Sequence, residues 1–112
     1  MNDTVKQIHD LLVDQIDKLS TEMDTNTDPA VSKKLLMEMD EMTHRLNIAQ
    51  NLMFAGTSKT LEGYLTQIKA ANDALAKSLK QIQNVAQFMN DATEFLKYVD
   101  QALDLAKTLA VI

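Results

Sequence analysis

The chain has 112 residues, a formal charge of −5, 46% hydrophobic and 4% aromatic residues, no Cys or Trp, two Gly and one Pro. That size suits one domain spanning residues 1–112, while the scarcity of aromatics and turn formers starves strands and points to an all-α class. The charge excess sits in residues 1–56, five Lys/Arg against ten Asp/Glu, so the phosphate-binding footprint of a nucleic-acid protein is missing; the lack of Cys excludes disulfides, thiolate nucleophiles and Cys-type metal sites.

The chain starts Met1-Asn2-Asp3-Thr4, without a basic segment followed by an apolar one, and no apolar run reaches membrane-spanning length. A cytoplasmic protein is expected on that basis. Thr4-Val5-Lys6-Gln7 has the form of a capping box, which predicts a helix starting at Thr4. Val5, Ile8, Leu12, Ile16, Leu19 and Met23 recur at three- and four-residue steps on one face of that helix, and Leu11 and Val13 widen it on both sides. Asp3, Asp10, Asp14 and Asp17 form a ridge on the opposite side, which reads as solvated surface or as a docking face for a basic partner.

Asp24-Thr25-Asn26-Thr27-Asp28-Pro29 interrupts the pattern. Asp28 as N-cap and Pro29 at the first helical position predict a restart. The segment imitates the first half of a calcium loop, but Pro29 stands where Gly is wanted and Leu35 where the bidentate Glu belongs, so a capped loop is the better reading. The second helix is expected to run to about Ala55 with a stripe of Val31, Leu35, Met39, Met42, Leu46, Ala49 and Met53. Gly56 is placed to stop it in the left-handed conformation, and Thr57 or Ser58 to cap the next helix. Met37 and Ile48 fall together on the back, a possible smaller contact face. Short connections imply antiparallel neighbours.

From residue 58 to 110 no strong breaker follows Gly63, and Leu61, Ile68, Leu75, Ile82, Met89, Leu96, Leu103 and Ala110 recur every seven residues, a coiled-coil pattern. The apolar companions of this series change: Leu65 and Leu79 lie four positions on, whereas Val85, Ala92 and Val99 lie three positions on. Two architectures fit. A continuous helix over 58–110 gives three helices and leaves its second half in need of cover from another chain. A break near Asn90-Asp91, with Asp91-Ala92-Thr93-Glu94 as cap, gives four. The constant seven-residue phase favours the continuous helix.

Glu41-Met42-Thr43-His44 has the Glu-x-x-His spacing of di-metal helical bundles, which makes Glu41 and His44 the metal candidates, but both project away from the apolar stripe and the motif occurs once. His9 is a lone imidazole at the edge of the first helix's stripe. No nucleophile, base and orienting group converge in sequence, no cofactor motif is present, and no residue is assigned to catalysis. The expectation is a non-catalytic interaction or assembly protein, a homo-oligomer or the partner of another helical protein, using Phe88, Met89, Phe95, Leu96, Val99 and Leu103 as the partner interface. The alternative is a bundle that opens toward a membrane or hydrophobic client, for which the Leu109-Ala110-Val111-Ile112 end is the suggestive feature and the acidic balance the opposing one.

Overall fold

The computed structural model describes residues 3–110, so the Met1-Asn2 start and the Val111-Ile112 end lie outside the described residues. Four helices account for most of these: α1 (Asp3–Thr25), α2 (Pro29–Asn51), α3 (Lys59–Lys80) and α4 (Val85–Ala110). The architecture is an all-α bundle, and no described helix is long and apolar enough to cross a membrane.

Local chemistry explains most of the boundaries. The Asp28 carboxylate accepts from the Ala30 amide at 2.9 Å, occupying one of the free donors that open α2, and Pro29 follows where its missing N–H costs nothing. Ser58 Oγ accepts from the Leu61 amide at 3.1 Å and opens α3 in the same way. Thr4 does not open α1, because Asp3 and Thr4 are already helical; its hydroxyl meets that of Thr57 at 3.1 Å, joining α1 to the segment before α3. Nor does Gly56 stop α2. The helix ends at Asn51, Leu52 closes it through its amide to the Ala49 carbonyl, and no described residue has the positive φ that would call for glycine.

The connection over residues 52–58 leads α2 into α3, yet these two helices are not neighbours. α1 packs on α2 and α3, and α4 packs on α3 and more sparsely on α2, so α2 and α3 stand diagonally opposite. Seven residues reach roughly 23 Å when extended, enough to cross that diagonal, and the crossing is anchored by buried Leu52 and Ala55. α1 and α3 run in the same direction, since Thr4 meets Thr57 at one end and Gln15 meets Asn72 further along.

The long C-terminal helix is not continuous. It breaks at residues 81–84, and Asn90-Asp91, six residues beyond the end of the break, lies inside α4. The Gln81 amide closes α3 on the Ser78 carbonyl at 3.1 Å, and Asn84 Oδ1 accepts from the Gln87 amide at 3.2 Å to open α4. The Ser78 hydroxyl of α3 donates to the Asp91 carboxylate of α4 and stitches the two helices just beside the turn, while Gln87 Nε2, one turn earlier on α4, donates to the same carboxylate at 3.0 Å. Asp91 therefore braces a hairpin and caps nothing.

Folding α4 back encloses the apolar face that the sequence leaves in search of a partner. Phe88, Phe95 and Val99 are fully buried, Leu96 and Leu103 nearly so, and Met89 is half-buried against the same core. Their shelter comes from this chain. One core runs the length of the bundle, joining Val5, Ile8, Leu12 and Leu19 of α1, Leu35 and Met42 of α2, Leu61, Ile68 and Leu75 of α3 and the α4 residues.

Truncating a fully enclosed aromatic removes its transfer free energy and leaves a cavity, so Phe95→Ala is expected to lower unfolding stability by about 3–5 kcal/mol in urea titration followed by circular dichroism. Leu103→Asp is expected to unfold all four helices together, whereas a C-terminal helix sheltered only by another chain would lose association and keep residues 4–85 folded.

Candidate interaction surfaces

Once the α4 seam is committed to the core, few large apolar side chains remain outside. Phe54 is 85% exposed, while the other two phenylalanines, Phe88 and Phe95, are at 0%. It projects from the 52–58 crossing, between buried Leu52 and Ala55, at the pole where Thr4 meets Thr57 and the Leu109 side chain approaches Gly56. The surrounding sequence, residues 46–58, is the longest stretch without a charged side chain. That run, with an aromatic inside it that does not belong to the α2 stripe of Leu46, Ala49 and Met53, is the signal from which this surface was readable.

On α2, Leu36 and Met37 are 47% and 55% exposed. Ile48, expected to share a back face with Met37, is instead half-buried against the core, so the two do not form one open patch. Met39, Leu46 and Met53 are likewise half-buried, and Met42 is enclosed.

The groove between α2 and α4 carries most of the polar chemistry. Arg45 Nε donates to Asp100 Oδ1 at 2.7 Å and Nη2 to Oδ2 at 3.1 Å, a two-pronged clamp between α2 and α4, which pack on each other less than the other neighbouring helices do. Its Nη1 donates to Glu41 Oε2 at 2.7 Å and to the Glu41 carbonyl at 2.9 Å. Burial acts to lower the Arg45 pKa, but the hydrogen bonds to Asp100 and Glu41 outweigh it and raise the pKa above its ordinary value. Glu38, one turn before Glu41, is only 9% exposed, and its Oε2 is shielded from solvent with no hydrogen-bond partner. Burial, aided by the Glu41 carboxylate and opposed by Arg45, pushes the Glu38 carboxyl above its usual range. Leu96, Lys97, Asp100, Gln101 and Asp104 line the α4 side.

Glu41 and His44 are both exposed, and the Glu41 carboxylate is held by Arg45. Among the described residues no three His, Asp or Glu side chains are gathered as a metal site. Asn26 Oδ1 accepts from the Asp28 amide at 2.9 Å, so the loop resembling a calcium site uses its oxygens to shape a turn and cap α2. Within the acidic ridge of α1, Asp10 is bonded to Lys6 at 2.8 Å and to His9 at 3.1 Å, and Asp14 to Lys18 at 2.8 Å. The Lys6 hydrogen bond, followed by that from His9, holds the Asp10 carboxyl below its usual pKa. These exposed pairs break up the ridge as a uniformly negative face.

Comparison of the chain with family models, with curated proteins and with solved structures finds no match. The surfaces themselves therefore carry the functional reading.

A raised carboxyl pKa in the folded state means that folding takes up a proton above the ordinary carboxylate pKa. The Glu38 contribution to stability is therefore full below about 4.5 and is lost as pH rises through the raised value. The charged groups facing it are Glu41 and Arg45 on α2 and Lys97, Asp100 and Asp104 across the groove on α4. Glu38→Gln is expected to match the parent in urea midpoint near pH 4 and to exceed it at pH 7; an unchanged difference between the two pH values would contradict a buried charge at this position.

Proposed function

We propose that this chain is a non-catalytic helical interaction protein that folds on its own and associates, in a cytoplasmic setting, with a second copy of itself through the pole that carries Phe54. The observation that supports the reading is the exposure of Phe54, a side chain whose apolar area the fold spends nothing on, within an uncharged stretch. A net charge of −5 opposes the meeting of two copies along most of their surface. At this pole residues 46–58 add nothing to that repulsion, and a two-fold arrangement would set one Phe54 ring against the other. The interface expected earlier from Phe88, Phe95, Leu96, Val99 and Leu103 has no part in this reading, because those side chains are inside.

The bundle measures 48 × 21 × 16 Å between its Cα extremes, so its end offers much less than the roughly 800 Å² per partner of a standard stable interface. Weak, concentration-dependent pairing is the expected form. Sedimentation equilibrium from micromolar to millimolar protein should show an average mass rising toward two chains for the parent and staying at one chain for Phe54→Ser. The variant should keep its unfolding free energy, measured in urea, within about 0.5 kcal/mol of the parent, as exposed substitutions do. A parent mass fixed at one chain throughout would refute self-association.

A further inference from the structure

The second feature that folding leaves unsatisfied lies away from the Phe54 pole and is independent of it. Glu38 is nine-tenths buried, lines the groove between α2 and α4, and has a carboxyl oxygen with no partner, a costly arrangement for a polar side chain. Arg45, the cation on its own helix whose charge acts on it, is already engaged by Glu41 and Asp100. The groove lining also includes nearly buried Leu96, an apolar surface in the same groove, and its charged side chains are the acids Glu38, Asp100 and Asp104 against the cations Arg45 and Lys97.

We propose that this groove receives the side chain of a lysine presented by a second polypeptide, its ammonium against the Glu38 carboxylate and its methylene stem along Leu96. Lysine matches the site in two ways. Its head is a compact charge that one carboxylate can satisfy, whereas an arginine fork looks for two acceptors side by side, and its four-carbon stem covers apolar surface while the head seeks oxygen. The terminal torsion of a Glu side chain is soft, so a small rotation turns the shielded oxygen toward an incoming donor. The acidic balance of residues 1–56, which contain Glu38 and Glu41, favours the approach of a cationic chain.

The test is a titration of the intact, isotope-labelled chain with octalysine, followed by amide NMR shifts at about 20 mM salt to limit screening. The control peptide is octanorleucine capped with polar ends, which keeps the stem and removes the charge. Shifts should concentrate at Leu96, Lys97 and Gln101, and the control peptide should leave those amides in place. Glu38→Gln should weaken octalysine binding by about tenfold, and Asp40→Asn, which removes an exposed charge outside the groove, by less than about twofold. Circular dichroism should show both variants folded. Equal weakening by the two substitutions, or shifts spread along the α1 acids instead of the groove, would overturn the proposal. So would n-butylammonium binding as tightly as octalysine at matched ammonium concentration, since a polypeptide would then not be required.

Discussion

Covering the aromatic face of α4 is the demand around which this bundle is arranged. Phe88 and Phe95 are the largest side chains in the core, and both lie beyond the turn at residues 81–84. If that turn were helical, each would face water. With the turn in place, α4 returns along α3 and also reaches α2, and the same rings complete a core that α1, α2 and α3 begin. The bond from Ser78 on α3 to Asp91 on α4 fixes the return at its tightest point, and the clamp of Arg45 on Asp100 fixes it again where α4 packs sparsely on α2.

The helical content, the Asp28 and Ser58 caps and the buried stripes of the first two helices were legible because each is a local matter of spacing or of one side chain bonding to a nearby amide. The break at 81–84 was concealed by arithmetic. Leu75, Ile82, Met89 and Leu96 keep a spacing of seven across a turn that reverses the chain, so a constant interval masqueraded as a constant helix. Two signs of the turn were nevertheless present. The companions of the series shift after Val85, because in α4 the buried face centres on Phe88, Ala92, Phe95 and Val99 and leaves Met89 at its edge. Asn84, followed three residues later by Gln87 and then by apolar residues, also has the form of a helix start, with no Gly or Pro to announce it.

The surfaces were harder to read than the core for a physical reason. A helical wheel assigns a residue to the inside or the outside of its own helix, but exposure depends on which neighbours the tertiary arrangement supplies. Ile48 sits on the back of α2 in that projection and is half-buried in the bundle, and Glu38 occupies an inward position that no periodic pattern of apolar residues would assign to a carboxylate. The buried pair formed by Gln15 and Asn72, with Gln15 Nε2 donating to the Asn72 side chain at 2.5 Å and to its backbone carbonyl at 3.1 Å, is of the same kind. It holds α1 and α3 in axial register, since a slip by one turn would strand both amides among hydrocarbon.

The diagonal crossing from α2 to α3 has a further consequence for how the molecule can be joined to others. Because α1 and α3 rise together while α2 and α4 descend, the first turn of α1 and the last turn of α4 emerge beside Phe54, and the hairpin bends at residues 26–28 and 81–84 share the far tip. A fluorophore or surface tether attached at that far tip leaves the opposite cap unobstructed. A fusion made at either terminus crowds the cap directly, so the side on which the molecule is tagged decides which of its faces any binding measurement sees.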